Sequence, residues 1–173
     1  KLSCENQMII ERSKQYQDLE GMGTTVVCAM FFENKCLIAH LGDSRAYILH
    51  DQKLVQLTED HSLVNELVKR GEISADEAKH HPQKNIVTRT LGISENVSLD
   101  FDELILGSGD KVMLCSDGLT NMVDDDVIEK VLQKDELLND QCQELIAKAN
   151  ENGGNDNITV LLADFSSKDG DMP

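Results

Sequence analysis

Val112-Met113-Leu114-Cys115-Ser116-Asp117-Gly118-Leu119 carries the clearest structural signal in this 173-residue chain. A short apolar run closed by Ser, Asp and Gly predicts a buried β-strand that delivers one carboxylate, Asp117, at its exit. Two other aspartates stand in comparable places. Asp43 follows the apolar run Cys36–Leu41, and Asp156 precedes the run Ile158–Phe165.

The runs around these positions predict a meander. Val26–Phe32 reads as a strand buried on both faces, Glu33-Asn34-Lys35 as a hairpin turn and Cys36–Leu41 as the return strand. Gly42-Asp43-Ser44-Arg45 leads to Ala46–His50, Asp51-Gln52-Lys53 turns again, and Leu54–Leu57 completes the series. Hairpins this closely spaced mean an antiparallel sheet. Shorter β-like runs follow at Ile86-Val87-Thr88 and Val97-Ser98-Leu99, broken by Gly92, and Leu104-Ile105-Leu106 with Gly107 to Asp110 leads through a turn into the Val112 strand.

Helical patterns are interleaved. Leu2 to about Asp18 has a narrow apolar stripe ended by Gly21. Asp60 or Ser62 caps a helix carrying Leu63, Val64, Leu67 and Val68, and Ser74-Ala75-Asp76-Glu77 has the form of a capping box. Asp124-Asp125-Asp126 suits the first turn of a helix, where carboxylates meet the positive dipole end. Asp140 to about Asn150 is the last helical pattern, stopped at Asn152-Gly153-Gly154. The helical excursion from Thr58 is either a lid or a structural insert. Gly21-Met22-Gly23 lacks the third glycine of a phosphate-cradling loop and precedes a β-like run, so it reads as a turn. His80 and His81 are adjacent, point apart, and are not a metal pair.

Composition narrows the function. The chain is 40% hydrophobic and carries a formal charge of -16, from 32 acidic against 16 basic residues. That field repels nucleic-acid backbones and anionic lipid and favours metal cations. With 3% aromatic residues and no Trp, base-stacking platforms are scarce. Neither nucleic acid nor membrane is an expected partner. The cysteines, five in number and without a C-x-x-C pair, suit a reducing compartment. No run approaches the ~18 apolar residues of a membrane span, and the expected location is the cytoplasm. One domain is expected across residues 1–173, with a disordered tail over 166–173.

Asp43, Asp117 and Asp156 offer hard oxygen ligands with no thiolate or paired imidazole nearby, which suits Mg²⁺ or Mn²⁺ better than Zn²⁺. Clustered carboxylates repel one another unless a cation or proton lies between them.

The ordered set Gly-Met-Gly-Thr-Thr (21–25), Gly-Asp-Ser-Arg-Ala-Tyr (42–47), Thr-Glu-Asp-His-Ser (58–62), His-Pro-Gln (81–83), Leu-Cys-Ser-Asp-Gly-Leu (114–119) and Asn-Asp-Asn-Ile-Thr-Val (155–160) resembles the metal-dependent Ser/Thr protein phosphatases. This is the type 2C or PPM family in its compact bacterial form, and the resemblance runs from about Asp18 to Phe165. It implies an α+β fold: a layered α-β-β-α sandwich of two antiparallel β-sheets flanked by helices. It implies that Asp117 and Asp156 ligate a catalytic Mn²⁺ or Mg²⁺, that Asp43 and Asp117 share a third, weaker ion, and that residues 58–92 form a flap. The implied reaction is hydrolysis of phosphoserine and phosphothreonine by a metal-activated water. Phosphorylated proteins, a Ser/Thr protein kinase among them, are the implied partners of a monomeric domain.

The sequence also departs from the family. A phosphate-gripping Arg, an Asn-Gln-Asp-like motif and Asp-Gly-Met-Gly-Gly-His, with its bridging Asp and general-acid His, do not occur. Asn6-Gln7 is followed by Met8, and Glu20-Gly21-Met22-Gly23-Thr24 only mimics the last of these. The expectation is the C-terminal two-thirds of a catalytic domain, inactive by itself, with exposed strand edges and apolar faces. The alternative is a non-catalytic, phosphatase-like regulatory module that binds a partner protein. A divalent-cation-binding domain without a phosphate role ranks last, because D-x-[DN]-x-[DN]-G loops do not occur.

Overall fold

The computed structural model describes residues 2–165, so the tail expected to be disordered over 166–173 lies outside the described residues. In chain order the elements are α1 (Leu2–Gln15), β1 (Val26–Phe32), β2 (Lys35–Leu41), β3 (Arg45–His50), β4 (Lys53–Gln56), α2 (Leu63–Lys69), α3 (Ala75–Lys79), β5 (Asp100–Ile105), β6 (Lys111–Cys115), α4 (Asp117–Thr120), α5 (Asp125–Leu132), α6 (Leu138–Glu151) and β7 (Val160–Asp164). The strands form two sheets, ordered β1-β2-β5 and β4-β3-β6-β7. With the flanking helices they give the expected α+β architecture of two antiparallel sheets. Among the described residues no helix is long and apolar enough to cross a membrane.

Two compact units divide the chain. One takes the chain through Val27, then Ala39–Ser44 and Glu59–Phe101; the other takes Cys28–Ile38, Arg45–Thr58 and the chain from Asp102 on. Strands β1, β2 and β5 each contribute residues to both.

In the second unit the four-stranded sheet is set by its turns and its alternation. Asp51 and Gln52 adopt φ of 46° and 63°, the two-residue loop that matches strand twist and joins β3 to β4. Strand β6 lies between β3 and β7, with Met113 opposite Tyr47 on one side and Leu162 on the other. Alternation sends Tyr47, Leu49, Met113 and Cys115 to one face, where they meet Leu119, Val123, Ile128, Val131, Leu132, Leu145 and Ala149. Ile128, Val131 and Leu132 sit at i, i+3, i+4 along α5, so one stripe of that helix is buried. The buried Tyr47 hydroxyl donates to Asp125 Oδ1 (3.1 Å) and accepts from Arg45 Nη1 (2.9 Å), while burial pushes its pKa up. The acidic triplet does form the start of α5, with Asp124 at the cap position and Asp125 and Asp126 in the first turn.

In the first unit, buried Asn6 of α1 donates to the Ser94 carbonyl (2.8 Å) and accepts from the Gly92 N–H (2.7 Å). Gly92 has φ +91°, and a Cβ there would run into Ile9 and the Met22 carbonyl. Helix α1 stops at Gln15 rather than near Asp18, because Tyr16 turns extended before a single 3-10 turn over Gln17–Leu19. Ser62 caps α2 through the Asn65 N–H, and Ser74 with Glu77 forms the full capping box of α3. The ends of this excursion are laced together, Leu63 N–H to the Ile86 carbonyl (2.9 Å) and Thr88 N–H to the His61 carbonyl (2.8 Å).

Three strand expectations need correction. Strand β1 is not buried on both faces: it ends its sheet's order, and Met30 (58% exposed), Phe31 and Phe32 are open. Ile86-Val87-Thr88 makes only one isolated bridge, Val87 to Ser62, and Val97-Ser98-Leu99 is not a strand. The strand in that region is β5, whose Asp100, Asp102 and Glu103 disguise it. It too ends its sheet's order, where charges facing solvent cost little, and Phe101 and Ile105 are 61% and 69% exposed.

His50 gives the fold a pH signature. Its Nδ1 donates to Asp110 Oδ1 (2.8 Å), and Asp110 also accepts the Gly107 N–H (2.7 Å). The bond to Asp110, with the charge of that carboxylate, raises the His50 pKa above 6.5. The protonated ring is therefore favoured in the folded state, and its contribution is complete below about pH 6.5 and lost as pH rises through the raised folded value. Urea unfolding followed from about pH 5.5 to 8 should show stability falling over this window, and His50→Gln should flatten that fall.

Candidate metal centre

Antiparallel register assembles the centre in the second unit. Cys115, the last residue of β6, pairs with Arg45 at the start of β3 and with Val160 at the start of β7. The exit of β6 and the entry of β7 therefore share one sheet edge, which carries Asp117 and the 155–159 loop.

Asp117 lies just beyond the exit of β6, as the sequence suggested. It is the first residue of α4, preceded by Ser116 in extended conformation. Its carboxylate accepts from Asn121 Nδ2 (3.1 Å), and the backbone N–H groups of Asp117 and Gly118 favour its charged form. Burial nonetheless raises its pKa above the usual carboxylate value, and the charge of Asp156 adds to the rise; Arg45 opposes it. Asp156 is exposed, and its Oδ1 accepts the Asn157 N–H at 2.6 Å.

Ser116 ties these two segments together. Its Oγ donates to the Asn157 carbonyl (3.0 Å) and accepts the Thr159 N–H (3.0 Å), and its own N–H reaches the Thr159 carbonyl (3.1 Å). This explains why Ser116 makes no cap bond to α4. Gly118 is required by the same contact, since a Cβ there would run into the Asn157 carbonyl. Asn152 holds the other end of the loop by donating to the Met122 carbonyl (2.7 Å).

A half-buried carboxylate whose ionisation is opposed by the charge of a second one, with oxygen donors around it, fits a hard divalent cation. Asp43 belongs to the first unit. It follows Gly42, whose N–H donates to His61 Nδ1 (3.0 Å) and whose carbonyl accepts the His61 N–H (2.9 Å).

His61 also joins His40 and Asp100 in a cluster whose donor atoms lie within 4.8 Å of one another. Its chemistry argues against a metal. His61 Nδ1 accepts from Gly42 and Nε2 lies 3.1 Å from Asp100 Oδ2, so both ring nitrogens already meet protein partners. Burial pushes the His61 pKa down, which keeps the ring neutral. Arg89 forks onto the same carboxylate at 2.8 and 3.1 Å, and its Nη1 lies 2.6 Å from His61 Nε2. A guanidinium thus stands where a cation would, and its bond to Asp100 holds that carboxyl well below the usual range.

A model of protein phosphatase 2C matches residues 3–163. The chain belongs to the protein phosphatase 2C family. The serine/threonine phosphatase stp of Listeria monocytogenes serotype 4b is 46% identical over 159 residues, covering 92% of this chain and 63% of the relative's length. Among solved structures, the S. agalactiae serine/threonine phosphatase superposes with TM-score 0.89 at 43% identity, over 94% of this chain and 67% of that one. The catalytic domain of the phosphatase PstP in complex with two manganese ions superposes with TM-score 0.84 at 36% identity, over 94% of this chain and 67% of that one. The chain thus spans about 63% of the length of the Listeria phosphatase it resembles.

Beside the three aspartates, the phosphatase 2C fold of this chain gives structural work to Ser116, Asn121, Arg45 and His61. Asn121 lies four residues beyond Asp117, at the C-cap of α4, a spacing visible in the sequence once α4 is known. Ser116 and His61 act across long sequence separations and left no local sign. Replacing Ser116 with Ala removes two side-chain bonds to the 157–159 segment. Urea unfolding should report a loss of roughly 1–3 kcal/mol, with faster amide exchange at Thr159.

Proposed function

We propose that this chain is the C-terminal two-thirds of the catalytic domain of a metal-dependent Ser/Thr protein phosphatase. The observation that carries this reading is the pairing of half-buried Asp117 with Asp156 at one sheet edge, where the charge of Asp156 opposes the ionisation of Asp117. Asp117 and Asp156 hold one catalytic Mn²⁺ or Mg²⁺, and Asp43 with Asp117 holds a weaker third ion. The manganese pair in the PstP catalytic domain supports this choice of metal. Such ions, when bound, neutralise phosphoryl oxygens and lower the pKa of a coordinated water. The residues of this chain supply the rest: Asn121 orients the Asp117 carboxylate, and Ser116 fixes the loop that carries Asp156.

The remaining third of the domain lies outside these residues, and it brings the phosphate-gripping Arg, the bridging Asp and the general-acid His. Exposed Met30, Phe31, Phe32 and Ile105 support the need for further strands. Substrates are phosphoserine and phosphothreonine proteins, a Ser/Thr kinase among them, and the complete domain works as a cytoplasmic monomer. Residues 58–92 act as its flap.

The test has two arms. The 173-residue chain with Mn²⁺ should not hydrolyse a phosphothreonine peptide above background, and turnover by it would overturn the division of the site. In the full-length protein, Asp117→Ala should lower the Mn²⁺-dependent rate at least about 100-fold. An active variant would overturn the assignment of Asp117.

A further inference from the structure

The motifs Gly-Met-Gly-Thr-Thr and Thr-Glu-Asp-His-Ser hold no ligand in the reading above, yet both meet the same turn. Gly42 adopts φ +111°, a conformation left to glycine, and a Cβ there would run into the Thr25 side chain. Thr25 Oγ1 lies 2.9 Å from Ser44 Oγ, in hydrogen-bond contact on the far side of Asp43. On the other flank His61 closes a reciprocal pair with Gly42, donating its N–H to the Gly42 carbonyl and accepting the Gly42 N–H on Nδ1.

We propose that His61 is a positioning residue for the weaker ion: through Nδ1 and its own N–H it fixes the Gly42 peptide, and with it the carboxylate of Asp43. This rests on the reading of Asp43 as a metal ligand. Only the tautomer with a bare Nδ1 can accept from Gly42. At the opposite edge of the ring Nε2 meets Asp100 Oδ2 (3.1 Å) and Arg89 Nη1 (2.6 Å), and Arg89 also anchors Asp100, so the ring is held from both edges. The His40 ring stacks on His61 with centroids 4.9 Å apart and planes 11° apart, which limits tilt. His40 is held in turn by donating Nε2–H to the Glu59 carbonyl (3.0 Å). A turn framed by Thr25 on one side and His61 on the other leaves Asp43 no backbone freedom to lose when a cation arrives.

Asparagine and glutamine separate this role from bulk packing, because an Asn amide oxygen reproduces the acceptor at Nδ1 whereas Gln reaches the Nε2 position instead. In the full-length protein, Mn²⁺ titration by calorimetry with and without Asp43→Ala isolates the Asp43-dependent ion. His61→Gln should weaken that ion about 10-fold and speed amide exchange at Gly42, while His61→Asn should stay near the wild type in both. Wild-type binding in His61→Gln, or equal loss in both variants, overturns the proposal. If Asp43→Ala leaves every Mn²⁺ site unchanged, the metal reading of Asp43 fails and takes the proposal with it. An effect of Asp43→Ala without one of His61→Gln sinks the positioning role alone. Should His61→Gln not fold, the wild-type chain decides: saturating Mg²⁺ must slow Gly42 amide exchange, and indifference to Mg²⁺ overturns the proposal.

Discussion

The pairing of Cys115 with Arg45 on one side and Val160 on the other is the constraint on which the second unit depends. Side chains alternate along a strand, so a slip of one residue would turn Met113 and Cys115 away from Leu119, Ile128 and Leu145. The same slip would carry Ser116 away from Thr159 and break the link between the two acidic segments. Core and site are thus fixed by one register. Burying residues of the size of Met113 and Tyr47, at about 1.5–3 kcal/mol each, stabilises the geometry that aligns two repelling carboxylates.

That repulsion has a physical consequence. Asp117 is half-buried beside another acid, so its ionised form is disfavoured despite the Asn121 bond and the N–H dipoles at the start of α4. Those donors aim the carboxylate without neutralising it, and Arg45 offsets only part of the field while its own Nη1 is engaged by Tyr47. A group prepared in this way gains most from a small multivalent cation, which removes the desolvation cost and the repulsion together.

Much of the fold was legible because its signals are local. The Asp51-Gln52 turn, the Ser74–Glu77 capping box and the stripe on α5 are each decided within a few residues. Strand β5 was not, because acidic residues at a solvent-facing edge erase the apolar pattern that marks a strand. Strand β1 misled in the opposite sense: Val26–Phe32 has the composition of a fully buried strand, yet at the end of its sheet it leaves Met30 and Phe32 open. Composition reports what a segment could bury, and only topology says whether anything covers it. At the site, the aspartates were visible as acids beside glycines or asparagines. The partners that aim them were not, since Ser116 meets Thr159 and Gly42 meets His61 across gaps no periodicity spans.

The motifs therefore divide by the tolerance of their chemistry. A carboxylate ligand is one residue type in one place, but its usefulness depends on being held to a fraction of an ångström. In each half of the chain that precision comes from a neutral side chain bonded reciprocally to backbone. Ser116 both donates to and accepts from the 157–159 segment, and His61 does the same with Gly42. A reciprocal pair resists both translation and rotation of a peptide, which a single bond does not. A neutral clasp also adds no charge beside a cation site, whereas a Lys or Arg in its place would compete with the metal for the carboxylate. Arg89 respects this division by spending its charge on Asp100, one imidazole away from Gly42. The cation in the cluster holds Asp100 and the far edge of the His61 ring, and the near edge of that ring holds a peptide, so the positive charge reaches the acidic turn only as geometry.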